Sequence, residues 1–300
     1  MTNNESIKDL VRQKYSEIAH QDKELNAASC CGASVCSTEV YNIMSDDYSQ
    51  LEGYLPDADL GLGCGLPTEF AYIKTGDTVV DLGSGAGNDC FIARHEAGDT
   101  GHIIGIDFTP AMISKARANA AKLGFANVEF REGDLENIPA ATDSVDVVVS
   151  NCVLNLVPDK PRVFREIYRI LKHGGHFSIS DVVLVGELPD ALRGAAEMYA
   201  GCVAGAAQRD AYLDMIAQTG FEAIAIQKEK EIAIPTDILT HLLDKTQMAA
   251  YLNSPSRIIS ISIYAQKPRT STYQYEYREN IDEQTKKSTQ TTCCSSSCCK

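Results

Sequence analysis

The sequence has 300 residues, 44% of them hydrophobic and 23% charged, an ordinary globular balance with enough length for one large domain or two modest ones. Its 41 acidic against 27 basic residues give a net charge of -14, which opposes docking on phosphate backbones and excludes nucleic acid as an expected partner. No segment approaches the run of ~18 apolar residues that a membrane span needs, and the opening MTNNESIKDLVRQKYSEIAH lacks the apolar core of a signal peptide, so a cytoplasmic protein with no membrane partner is expected.

Residues 1–66 are polar and rich in Gly and Cys, and are expected to form a cysteine-bearing segment or lid rather than a core of their own. From residue 67 to 185 strands and helices alternate with short connections, the pattern of a doubly wound α/β domain. The strands read as TVVDL, HIIGID, NVEFRE, VDVVVS and HFSISDVV. The fourth, VDVVVS, is short, nearly all apolar and rich in β-branched residues, as a parallel strand covered on both faces is. The helix between the second and third is expected to start at Thr109-Pro110 and stop at Gly124, and the helix after the fourth to run from Asp159 to Gly174-Gly175. Residues 186–269 are expected to hold a helical insertion, roughly 188–219, and two closing strands, FEAIAIQ and RIISISIYA. The low-complexity end, 270–300, reads as a disordered, cysteine-containing tail.

The segment VVDLGSGAGND places Gly83, Gly85 and Gly87 at a strand-to-helix turn, where the backbone can approach a ligand closely. Asp107 ends the second strand 20 residues after Gly87, where a carboxylate can accept from both ribose hydroxyls. Gly133-Asp134 follows the third strand, within reach of an adenine edge. The spacing is G-x-G-x-G preceded by Asp81, and an acid at Asp81 repels a pyrophosphate but suits an ammonium. This set resembles the class I methyltransferases that bind S-adenosylmethionine. The resemblance implies a Rossmann-like seven-stranded sheet with helices on both faces and the last strand antiparallel. It also adds Ser84, Phe108, Met112, Leu135 and Asn151 to the cofactor-binding set.

Methyl transfer to oxygen or nitrogen commonly uses a base, and none is advertised: all six histidines read as solvated or structural. Sulfur is offered instead. The eleven cysteines include no C-x-x-C pair, so neither a structural zinc site nor a disulfide framework is indicated. Cys152 follows the fourth strand, Cys64 sits between glycines in GLGCGLP, Cys202 lies among small residues in AGCVAGA, and Cys36 lies in SCCGASVCSTEV. Each alone could be packing or a solvated loop, and Cys90 is assigned to packing.

The contexts CSTEV, LGLGCGLP, SNCVLNLVPDK and GCVAGA resemble the arsenite methyltransferases, and the likeness runs from about Ile7 to Lys267. It implies that trivalent arsenic, or its thiol conjugate, is held by Cys64, Cys152 and Cys202, which with Cys36 form the catalytic set. Cys36 would take part in delivery or in a disulfide during turnover. Methyl groups would be added stepwise, with a thiol reductant of the glutathione or thioredoxin type. Ala207-Gln208 stand where animal members carry an aromatic pair, which leaves the later methylation steps open. Two other readings fit parts of the pattern: a methyltransferase for a small organic acceptor, and a soft-metal-binding protein without turnover. The first lacks a base and the second leaves Asp81, Asp107 and Asp134 unexplained.

Overall fold

The computed structural model describes residues 3–20, 46–192, 205–234 and 236–270. Seven strands form one sheet: β1 Thr78–Leu82, β2 His102–Asp107, β3 Val128–Glu132, β4 Val145–Asn151, β5 Leu171–Val185, β6 Glu222–Glu231 and β7 Arg257–Gln266, in the spatial order β3-β2-β1-β4-β5-β7-β6. Strands β1 to β5 run parallel, and β7 is antiparallel to both of its neighbours. Because the parallel strands share one direction, β1, β2, β3 and β4 all empty at the same edge, and the order reverses between β1 and β4. A crevice opens there.

Alternate residues of each strand feed two separate apolar layers, as the period of two requires. Val80, Leu82, Val148, Phe177 and Ile179 pack on one face against the helices α4 Lys160–Ile170 and α5 Arg209–Gln218. Val79, Ile103, Val147 and Val149 pack on the other against α2 Asn88–Ala97 and α3 Pro110–Leu123. Two short helices, α6 Thr236–Leu242 and α7 Lys245–Leu252, fill the connection from β6 to β7.

Three details depart from the sequence reading. Helix α4 ends at Ile170 and not at Gly174-Gly175, because Leu171 turns extended (φ -66°, ψ 136°) and pairs with Val145, and residues 172–175 bulge out before His176 pairs with Val147. The polar N-terminal segment contains a helix, α1 Asn3–Ala19, where no element was expected. It docks on α3, where Lys115 Nζ donates to the Ala19 carbonyl at 3.1 Å. Helix α3 does start after Thr109 and stop at Gly124, but the Thr109 side chain makes no cap; the Asp107 carboxylate accepts from the Thr109 N–H at 2.8 Å. The tail beyond residue 270 lies outside the described residues.

Phe164 is fully buried, with its ring centroid 5.5 Å from Tyr212 and 6.1 Å from Phe177. Phe164→Ala removes a ring that joins α4, α5 and the sheet, and is expected to cost about 3–5 kcal/mol in urea unfolding.

Candidate active site

The turn after β1 lies on the wall of a cavity whose lining includes Asp81, Gly83, Ser84, Gly85, Asp107, Phe108, Met112, Asp134, Leu135, Asn151 and Cys152. Gly85 has φ +51°, and a Cβ placed there would meet nothing within 4 Å, so its backbone faces open room. Asp107 Oδ2 accepts from the Gly85 N–H at 3.0 Å and so ties the turn to the end of β2. Asp134 receives the Glu136 N–H at 2.9 Å and the Lys8 ammonium at 2.7 Å. Gly87 and Gly133 shape the site without lining it: Gly87 caps α2, and the Gly133 N–H donates to the Asp107 carbonyl at 3.0 Å.

Five acids line this cavity, Asp59, Asp81, Asp89, Asp107 and Asp134, and three of them are lifted by burial. Burial lifts Asp81 well above the usual carboxylate range, with the charges of Asp89 and Asp107 adding to it, and lifts Asp89 to about 6. Burial also raises Asp107. Cys90 is packed as expected, but its thiol also donates to Asp81 Oδ2 at 3.2 Å. Acids crowded in this way are relieved by a cationic ligand.

Next to the cavity lie two buried thiols. Cys152 follows β4 in a left-handed conformation, φ +60°, a strained position for a residue with a Cβ, and its N–H donates to the Ser180 carbonyl at 2.8 Å. Cys64 is brought alongside by Asn151: Asn151 Oδ1 accepts from the Cys64 N–H at 3.0 Å, and its Nδ2 donates to the Gly65 carbonyl at 2.8 Å and to the Tyr48 hydroxyl. A Cβ on Gly65 would meet Ser180 Oγ at 2.6 Å, so glycine is needed there for close approach rather than for a special φ. The two Sγ atoms and a carboxylate oxygen of Asp181 lie within 4.8 Å of one another. Cys202 and Cys36 lie outside the described residues, as do Cys30, Cys31 and the tail cysteines.

Asp181 sits on β5, fully buried. Its Oδ1 accepts from Asn155 Nδ2 at 2.8 Å and from the Val182 N–H at 2.9 Å, and its Oδ2 accepts from the Tyr212 hydroxyl at 3.1 Å. Burial pushes it up to about 7. Among the described residues, Val182, Leu184, Leu188, Ile232 and Ile258 form an apolar cluster with the two thiols. Histidines stay away from the thiols; His176 bonds the Ala71 carbonyl, His102 pairs with Glu129 and His95 with Glu52.

A family model described as a methyltransferase domain matches residues 73–220. The arsenite methyltransferase of Halobacterium salinarum is 41% identical over 277 residues, which span 88% of this chain and 67% of that one. That of Aquipseudomonas alcaligenes is 33% identical over 240 residues, 78% of this chain and 67% of its own. The chain belongs to the arsenite methyltransferase family. It is a methyltransferase of the class I Rossmann-like fold that takes its methyl group from S-adenosylmethionine. An arsenic(III) S-adenosylmethionine methyltransferase from Chlamydomonas reinhardtii, known from its X-ray structure, superposes with a TM-score of 0.59 at 30% identity, covering 79% of this chain and 75% of that one.

The cavity of this family member fits that cofactor. Ser84 Oγ and Asn88 Oδ1 are buried there with no hydrogen-bond partner among the described residues, and the acids suit a ligand that carries a sulfonium and an ammonium. Sequence reasoning missed four contributors. Lys8 and Tyr15 of α1 line the cavity, and Arg12 stacks over Phe108 with its guanidinium carbon 5.3 Å from the ring centroid. Tyr48 donates to Asp89 Oδ2 at 3.0 Å. Asp181 was missed as well; the one signal that could have pointed to it is an acid inside a buried apolar strand, SISDVV.

Asp181 has a consequence for stability. An acid raised by the fold binds its proton more tightly folded than unfolded, so its contribution is complete below the ordinary carboxylate value, about 4, and is lost as pH rises toward 7. Thermal unfolding without ligands is expected to show Asp181→Asn gaining Tm relative to the parent between pH 5 and pH 8. A constant difference across that range would contradict the assignment.

Proposed function

We propose that the protein methylates trivalent arsenic held by Cys64, Cys152 and Cys202, stepwise, as an arsenic detoxification enzyme. One observation carries this reading: two buried thiols within 4.8 Å of each other adjoin a cavity for a methyl donor, and Cys152 belongs to both. Thiolates are the soft ligands that arsenic(III) prefers over imidazole or carboxylate. Arsenic bound by three sulfurs keeps a lone pair and has no proton to lose, so the placement of the described histidines away from the site is what the chemistry asks for. When bound, S-adenosylmethionine supplies an electrophilic methyl group.

The rest is work for the chain. Asp107 and the turn at Gly85 would hold the ribose, Asp81 would face the ammonium, and Asp134 with Leu135 would border the adenine. Asn151 and the strained turn at Cys152 would orient the thiols so that bound arsenic is presented to the methyl group. Methylation leaves arsenic pentavalent, and two electrons must return from thiols. Cys36 or the Cys30-Cys31 pair would be oxidised to a disulfide, which a glutathione- or thioredoxin-type thiol then reduces. No helix among the described residues is long and apolar enough to cross a membrane, in keeping with work on a dissolved substrate in the cytoplasm.

The direct test is incubation with labelled S-adenosylmethionine, arsenite and a thiol, followed by arsenic speciation; unmethylated arsenic throughout would reject the proposal. Asp107→Ala is expected to weaken cofactor binding by roughly 1.5–3 kcal/mol in calorimetry while arsenite binding persists. The cysteines should separate by valence. Arsenite offers three exchangeable positions and methylarsenite two, and Cys152 borders the cofactor cavity. Cys152→Ser should therefore methylate neither arsenical, whereas Cys64→Ser should lose arsenite and keep methylarsenite, as read by liquid chromatography with each substrate.

A further inference from the structure

Asp181 is a carboxylate in a site whose substrate prefers sulfur, and a buried acid is costly to keep. We infer that the Asp181 carboxylate stabilises the positive charge that arsenic acquires during methyl transfer. This rests on the arsenic reading of the thiol site. Arsenic bound by three thiolates is neutral. Its lone pair forms the new As–C bond while the methyl C–S bond breaks, and that bonding pair stays on sulfur. Arsenic is oxidised from III to V, the sulfonium becomes a neutral thioether, and no proton moves. One positive charge has thus left the acid-lined cofactor cavity for the thiol cluster. The carboxylate that meets it there is Asp181, with an oxygen within 4.8 Å of both sulfurs.

The surroundings make this charge matter. Among the described residues, Val182, Leu184, Leu188, Ile232 and Ile258 pack against the thiols, and this apolar packing lowers the local dielectric and strengthens any charge interaction there. Three neutral donors, Asn155 Nδ2, the Val182 N–H and the Tyr212 hydroxyl, hold the carboxylate in a fixed orientation before the reaction. Preorganised charge of this kind costs no rearrangement as the transition state forms. A purely structural role asks less: an asparagine here could accept from Asn155 and Val182 through its oxygen and donate its amide to the Tyr212 oxygen.

The experiment compares the parent protein with Asp181→Asn, Asp181→Ser and Tyr212→Phe. Single-turnover methyl transfer, arsenite binding by As–S absorbance, and cadmium(II) binding by Cd–S absorbance are measured for each. The expected result is a methyl-transfer rate lowered on the order of a hundredfold in both neutral Asp181 variants, with arsenite affinity within about twofold of the parent. Tyr212→Phe should stay within about tenfold of the parent rate. Cadmium adds positive charge at the same thiols without any turnover, and its affinity should fall about tenfold or more in the Asp181 variants. Parent-like transfer in the neutral variants would overturn the inference. So would equal losses of arsenite and cadmium binding, or a Tyr212→Phe as slow as Asp181→Asn, since either shows that the network only holds the thiols in place. If Asp181→Asn does not fold, Asp181→Ser carries the same expectations. A parent protein that leaves arsenite unmethylated would instead reject the functional proposal beneath it.

Discussion

The side-chain amide of Asn151 joins the two halves of the site. It lies at the end of β4 and bonds the backbone on either side of the Cys64 Cα, accepting from the Cys64 N–H and donating to the Gly65 carbonyl, much as a neighbouring strand would. A loop that has no ladder of its own is thereby given one rung of pairing, and the thiol it carries is set beside Cys152, one residue further along. Ser260 supports the same loop from β7 by donating to the Cys64 carbonyl. Without these bonds the polar groups of a buried loop would be left unpaired, which is why a small set of side chains decides where sulfur sits.

Charge is arranged in two stages along the crevice. Asp81, Asp89 and Asp107 crowd the cofactor end, and each is raised by burial. At the thiol end Asp181 accepts from neutral donors, and the Lys160 charge also favours its carboxylate. Holding these carboxylates out of water costs stability, and the cost falls at both ends of the crevice, which marks them as candidate sites for a cationic group.

The strands and the glycine turn were legible because buried parallel strands are short and apolar, and because glycines after a strand have few other uses. Seven strands with the last antiparallel followed from the resemblance and are what the sheet shows. The nearness of Cys64 and Cys152 followed from the resemblance, since each cysteine's own loop left packing open. What was not legible came from long-range pairing. Helix α1 is polar along most of its length, and its role depends on Lys8 meeting Asp134 and Glu136 more than 120 residues away. The end of α4 depended on Leu171 finding Val145, which no local signal before Gly174 reveals. Asp181 was hidden because a strand's alternation says which face a residue occupies and not what waits there.

The cofactor cavity and the thiol cluster are also covered by contacts of opposite kinds. Over the first, α1 is fastened by Lys8 to Asp134 and by Arg12 to the Phe108 ring, both near the surface. Over the second, Leu188, Ile232 and Ile258 close by apolar packing. Ionic fastenings loosen with added salt, while apolar closure tightens with excluded salts and weakens on cooling. Under the proposed function, exchange of the methyl donor and exchange of the arsenical would therefore answer to different solution conditions, so ionic strength and temperature together would separate their kinetics in a single protein.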